Sequence, residues 1–345
     1  MASIDTEALH SVQLDGLVVL KIIKHCRESY PNDVTGQLLG LDDKGIMEVT
    51  NCFPFPSDGD EDTSAQYQLD MMRCLRAANV DNNTVGWYRS AHLGNFVDLN
   101  LIETQYSYQN SLSSQSIVLI HDVSKSAAQG NLSIRAFRLT DAFMKTYETK
   151  KFTTESLAQA KLSFTNIFEE LPVQIYNSHY VTLMLHNIEM PKLNADRLGY
   201  LSTFTSSKKT QIELEEARPL APNFDVLDLE LDPFMQKNLH YLLDCAELQH
   251  QEQYNYQYWK KAVAREQAKI QSWLIKRKQE NAERAEKGQD PLPEDEVKTL
   301  FKLPLEPSRL DSMILNAQMH NFTKQLNQFA GPSLTRLYSI QELQK

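Results

Sequence analysis

Over residues 10–190, short runs of apolar and β-branched side chains alternate with segments whose apolar positions recur every three or four residues. This pattern predicts strands interleaved with helices. Leu17, Val18, Leu20, Ile22, Ile23 and Cys26 mark a first helix, capped by Asp15 and apolar over most of its circumference, so burial on most sides is expected. Residues 34–41 and 46–55 read as strands. The acidic stretch 58–62 precedes a second helix over 66–79, with Leu69, Met72, Cys74 and Leu75 as its apolar face; Met71, Met72 and Phe96 are expected in the core. A strand over 85–91 and a helix over 99–112 follow. Two more strands, 116–122 and 133–138, flank a turn at Gln129-Gly130-Asn131, and 171–178 is a last extended segment. The order of elements predicts an α/β domain.

Beyond an irregular or helical connection over 191–233, the composition changes. Residues 234–287 contain neither Gly nor Pro and are rich in Gln, Glu, Lys and Ala, which predicts one long helix of roughly 80 Å. Leu239, Leu242, Leu243 and Ala246 form one apolar stripe on it, and Trp259, Val263, Ile270, Trp273 and Leu274 a second. The polar stretch 247–253 between them leaves two readings open, a bend or two packing partners. Residues 288–308 carry Pro291, Pro293, Pro304 and Pro307 and read as a linker. A final segment, 309–345, contains a helix capped by Asp311 or Ser312. Its Leu315, Met319, Phe322, Leu326 and Phe329 repeat at spacings of four, three, four and three, the pattern of a helix-on-helix seam. Gly331-Pro332 is expected to end it, with a short terminal helix at Leu334, Leu337, Ile340 and Leu343. A tail with few partners in its own chain predicts that this seam is covered by another protein.

Charge and cysteines narrow the classes. The 345 residues hold 35 Lys and Arg against 45 Asp and Glu, a net −10, which argues against a protein devoted to nucleic-acid backbone or anionic membrane. One local exception is residues 259–287, with nine Lys and Arg against four Glu, a local +5 beside Trp259 and Trp273. A solvated helix face is the simpler reading and RNA contact the alternative. The four cysteines, Cys26, Cys52, Cys74 and Cys245, form no C-x-x-C pair, so reduced thiols are expected. No apolar run approaches the ~18 residues of a membrane span, and the N-terminus lacks the features of a signal peptide, so a soluble intracellular protein is expected. The acidic stretch 58–62 lacks the Glu that would complete a calcium loop, because Leu69 holds that position.

Candidate chemistry is concentrated in Gly86-Trp87-Tyr88-Arg89-Ser90-Ala91-His92. This resembles the strand Gly-Trp-Tyr-His-Ser-His-Pro of the JAMM metalloproteases in the MPN-domain family, whose two histidines leave one strand face as zinc ligands. Asp33-Val-Thr-Gly-Gln-Leu-Leu-Gly40 is similar to the family's Glu-x-x-Gly-x-Leu-x-Gly strand. The resemblance implies an MPN domain over 10–190, built as a mixed sheet with flanking helices and followed by a helical extension. An active member needs a Glu base, two His and an Asp on zinc, and a Ser for the oxyanion. Those positions hold Asp33, Arg89, Ala91, Leu101 and Asp98, the last two after one deleted loop residue. No ligand remains, so neither catalysis nor metal nor other cofactor is expected. His92 is one residue out of step and would face the other side of the strand. Asp33 and Arg89 are expected to neutralise each other across the vacated site, against the alternative that both turn to solvent.

Further segments, 12–25, 50–56, 172–178 and 291–296, are similar to one of the MPN-type components of eukaryotic translation initiation factor 3, and this similarity runs almost the length of the chain. It implies a non-catalytic scaffold acting within that complex in the cytoplasm, on the 40S ribosomal subunit and mRNA. It further implies pairing with the second MPN component of the complex, its F subunit, through helices such as the first two, and a helical bundle shared with other components. Scaffolding in a proteasome-lid or signalosome complex is the alternative reading.

Overall fold

The computed structural model describes residues 9–56, 61–129, 131–187, 233–286 and 300–343. Among these residues eight strands, β1 (Ser11–Asp15), β2 (Thr35–Asp43), β3 (Ile46–Pro54), β4 (Thr84–Ala91), β5 (Ile117–Asp122), β6 (Ile134–Leu139), β7 (Phe168–Leu171) and β8 (Val173–Tyr176), form one mixed sheet. Their order is β7-β6-β5-β4-β2-β3-β1-β8. β4 runs parallel to β5, β1 runs parallel to both β3 and β8, and the other pairs are antiparallel. The helices are α1 (Gly16–Glu28), α2 (Glu61–Ala77), α3 (Leu99–Ser111), α4 (Val123–Gln129), α5 (Asp141–Thr149), α6 (Thr154–Gln159), α7 (179–187), α8 (Pro233–Glu286) and α9 (Leu310–Leu343).

The two faces of the sheet carry separate cores, as period-two strands require. Tyr88 joins Val12, Leu14, Val18, Ile22, Leu38, Val49 and Ile117 on the side of α1. Trp87 and Ala91, which alternate with it, join Leu101, Ile102, Val118, Phe137 and Phe143 on the side of α3 and α5. Phe96 also lies in that core, but Met71 and Met72 are only half-buried, because α2 lies on the surface with Leu69 and Cys74 exposed.

Several expectations are corrected. α1 buries one face, not most of its circumference: Val18, Val19, Ile22 and Cys26 are covered, while Leu17 and Leu20 are 53% and 56% exposed. α1 packs on the sheet with its outer side bare. Asp15 stands at its N-cap without a side-chain bond, and Asn177 Oδ1 accepts from Gly16 N instead (2.9 Å), tying the end of β8 to the start of α1. β1, only five residues long and fused to α1, escaped the periodicity. So did α4, which fills the stretch between β5 and the expected turn and ends on that turn's first residue, Gln129; its Ser-Lys-Ser-Ala-Ala-Gln has no apolar period, and Asp122 Oδ1 caps it through Lys125 N (2.9 Å). The acidic residues 58–60, Gly130, the connection 191–232 and the linker portion 288–299 lie outside the described residues.

α8 is unbroken over 54 residues. α9 continues through Gly331-Pro332 for 34 residues, where a stop was expected. An interior proline removes one helical hydrogen bond, here that to the Gln328 carbonyl, at roughly 3 kcal/mol, and the turns before it are held by the packing of Phe322 and Phe329.

The tail seam, expected to be covered by another protein, is covered by this chain itself. Met313 and Ile314 enter the core beside Phe137 and Phe143. Phe322 and Phe329 are buried and Leu315, Met319 and Leu326 half-buried, with Tyr241 of α8 stacked on Phe322 at 6.1 Å. Farther along α8, Gln249 bonds Ser312 (3.0 Å), Arg309 lies 4.1 Å over the Tyr256 ring, and Trp259 Nε1 donates to the Pro304 carbonyl (3.0 Å). Trp273 meets Phe301 edge-on. Half-buried positions therefore run the length of α8, and its expected wet middle is packed through Gln249. In the first stripe, Leu242 and Ala246 are half-buried and Leu239 and Leu243 exposed.

Candidate functional site

The end of β4 and the start of α3 bring the altered metal positions together. Asp98 is the N-cap of α3: its Oδ1 accepts from Leu101 N (2.8 Å) and also from Arg89 Nη1 (2.8 Å). Arg89 Nη2 lies 3.3 Å from Asp33 Oδ2. One guanidinium, its side chain 15% exposed, thus bridges two carboxylates that are 49% and 39% exposed. Asp98 is the closer partner, and it was missed as one; the available signal was an Asp three residues before Leu101, at the predicted start of a helix.

The other positions have become core. Ala91 is buried in the same core as Phe96 and Val97, and Leu101 is fully buried. Residues that a dication would need as donors are here a methyl, an isobutyl group and a fixed positive charge, so the site does not fit zinc. Among the described residues no group of three His, Cys, Asp or Glu side chains is placed to hold a metal. His92 faces the α1 side, bonded through Nδ1 to Ser124 Oγ with its ring beside Tyr30. Ser90 Oγ accepts from Val34 N (2.8 Å), fixing the segment that carries Asp33 into β2.

The loop after β4 is clamped by α9. Gly94, at φ +74°, offers its carbonyl to Asn321 Nδ2 (2.7 Å) and Gln318 Nε2 (3.0 Å), while Gln318 Oε1 accepts from Val97 N (3.0 Å). Arg135 joins this clamp to the sheet edge. Its guanidinium is bidentate to Glu170 (2.7 and 3.0 Å), donates to Asn321 Oδ1 (3.1 Å) and stacks 4.7 Å from the Phe137 ring. Hydrogen bonding to Arg135 holds the Glu170 carboxyl below its usual range, against the opposing effect of burial. Gln318, Asn321 and Arg135 were not singled out from sequence, since polar side chains in a helical tail read as surface.

Replacing Arg89 by Ala separates charge balance from fold. Because both carboxylates are partly solvated, the expected loss in urea unfolding is only about 1 kcal/mol, with the Asp98 cap of α3 retained. A loss of several kcal/mol would mean that the bridge is structural.

Sheet, loop and altered strand define the class: this is an MPN-type domain carrying a packed helical extension. A family model described as JAB1/Mov34/MPN/PAD-1 ubiquitin protease matches residues 7–114, and one described as the C-terminal region of eIF3h matches 127–212 and 208–345. A protein of Aspergillus terreus (strain NIH 2624), named as the H subunit of eukaryotic translation initiation factor 3, is 43% identical over 353 residues, covering 96% of this chain and 95% of the relative. Those of Coccidioides immitis (44% over 355 residues, 97% and 96% covered) and Emericella nidulans (42% over 361 residues, 99% and 97%) carry the same name. The chain belongs to the eIF3h family, the H subunits of eukaryotic translation initiation factor 3.

Proposed function

We propose that this chain is a non-catalytic structural component of translation initiation factor 3, contributing surfaces and no chemistry to the recruitment of the 40S ribosomal subunit and mRNA. The observation that carries this reading is the near-complete, collinear similarity to proteins named as the H subunit of that factor. The Arg89 bridge between Asp33 and Asp98, with Ala91 and Leu101 in the core, supports the absence of catalysis. Leu17 and Leu20 on α1 and Leu69 on α2 are more than half exposed, which supports an apolar contact of the first two helices with the second MPN component of the complex, its F subunit. Leu239 and Leu243 on the outer side of α8 offer other components a second apolar surface. No helix among the described residues is long and apolar enough to cross a membrane, in keeping with action in the cytoplasm.

Affinity purification of the tagged full chain under native conditions tests the reading. Components of initiation factor 3 and 40S proteins are expected in the eluate; proteasome-lid or signalosome proteins in their place would reject it. Metal analysis and a di-ubiquitin cleavage assay on the same preparation address the absence of catalysis, and stoichiometric zinc with turnover would reject that part alone.

A further inference from the structure

The basic stretch of α8 is not evenly charged around its circumference. Trp259 and Trp273, which the sequence sets beside the cations, face inward: one bonds the Pro304 carbonyl and the other packs on Phe301 with Arg277 over its ring (4.6 Å). Exposed on the outer side of the helix are Tyr254, Tyr258, Lys261, Arg265, Lys269 and Lys276. At ~100° per residue these six positions fall within about 80° of arc, over a length of about 33 Å. The four cations are exposed, and the two tyrosines are 67% and 69% exposed. Lys269 bonds Glu266 (2.7 Å), an exposed pair that exchanges readily with other anions. Among the described residues no carboxylate pairs with Lys261, Arg265 or Lys276.

We propose that the strip from Tyr254 to Lys276 binds single-stranded nucleic acid, the four cations following the phosphates and the tyrosines stacking on bases. A strip of cations joined to exposed aromatic rings, here two tyrosines at one end of four cations, is the chemistry by which single strands are held without sequence preference. A protein partner fits the strip less well, because lysine is depleted from protein interfaces and the face between Tyr258 and Lys276 carries no large apolar anchor. In a chain of net −10, four cations within one arc of about 80°, with Lys260 and Lys278 exposed elsewhere on the helix, are also a local departure from the background. The proposal stands on these side chains and does not rest on membership of the initiation complex; its failure would leave co-purification with initiation factor 3 untouched.

The test uses the full chain and a fluorescein-labelled 20-nucleotide U-tract RNA, followed by anisotropy from low to physiological salt. Four phosphate contacts predict a slope of log affinity on log salt of about −3. The variant K261Q/R265Q/K269Q/K276Q keeps helix-forming residues and should bind at least tenfold more weakly at low salt, with a nearly flat salt dependence. Y254A/Y258A should weaken binding about fivefold or more and leave the slope unchanged. Matching melting curves exclude loss of fold as the cause. Absence of RNA binding by the unaltered chain, or a glutamine variant that binds within twofold of it, would overturn the proposal. So would a 20-residue polyglutamate peptide that displaces the RNA as well as unlabelled RNA does, which would identify an acidic protein partner instead.

Discussion

Ending the chain after Arg309 should unfold the sheet domain and not simply release it from a tail. Met313 and Ile314, each 7% exposed, complete the core around Phe137 and Phe143, and burying two such side chains is worth about 3–6 kcal/mol. Their removal also uncovers Leu93, Phe96 and Phe137, all now at or below 5% exposure. Against a total stability of roughly 5–15 kcal/mol for a domain, the expected deficit of about 5–10 kcal/mol leaves little folded protein. Circular dichroism melting and limited proteolysis of residues 1–309 beside the full chain decide the matter. A cooperative transition within a few degrees of the full chain would show that α9 is an appendage. A milder probe is Gln318→Leu, which leaves the Val97 N–H buried against an apolar side chain and should cost about 1–3 kcal/mol.

The second large effect lies in the Gly-Trp-Tyr motif. Gly86 pairs with Ile117 in the parallel β4–β5 ladder, and a Cβ added there would overlap the Ile117 carbonyl oxygen and lie 2.9 Å from its carbon and 3.1 Å from its nitrogen. All three atoms are backbone, and both strands are hemmed in by β2 and β6, so no side-chain rearrangement relieves the overlap. Gly86→Ala is therefore expected to cost about 4 kcal/mol or more and to appear mainly as insoluble protein. Gly331→Ala is the contrasting control: apart from its chain neighbours nothing lies within 4 Å of its added Cβ, and the gain of alanine over glycine in a helix is offset by the bias of a residue before proline away from the helical region, so a change of no more than about 1 kcal/mol is expected. Equal urea midpoints for the two variants would contradict the pairing of β4 with β5.

Much of the sheet was legible because alternation along a strand is a local property. Val85 to Ala91 alternates between two covered faces, and residues 35–43 and 46–54 are bounded by turn residues close to where they were read. What escaped depends on partners distant in sequence. Periodicity shows that Leu315, Met319 and Phe322 share a face; it does not show that Tyr241 and the loop at Gly94 cover it. The exposure of Leu17 and Leu20 was hidden for the same reason, since an apolar side chain reads alike whether its neighbour is present or still to come. At the altered metal site the pairing of Asp33 with Arg89 followed from the family resemblance, which implies that both positions face the metal of active members. The closer contact with Asp98 required the cap geometry of α3, which turns one carboxylate toward both a backbone N–H and a guanidinium.

The continuity of α8 makes it a ruler. A surface mounted on one turn is held at a fixed height and bearing relative to every other turn, so one inserted residue would swing everything beyond it by ~100° while advancing it only ~1.5 Å. A change of about seven or eleven residues returns the outward row of Tyr254, Lys261 and Arg265 to within ~20° of the same bearing relative to the sheet, and one of about eighteen restores it. Natural length variation in this protein is therefore expected in the connections on either side of the helix, and inside it only in near-integral numbers of turns, such as about seven, eleven or eighteen residues.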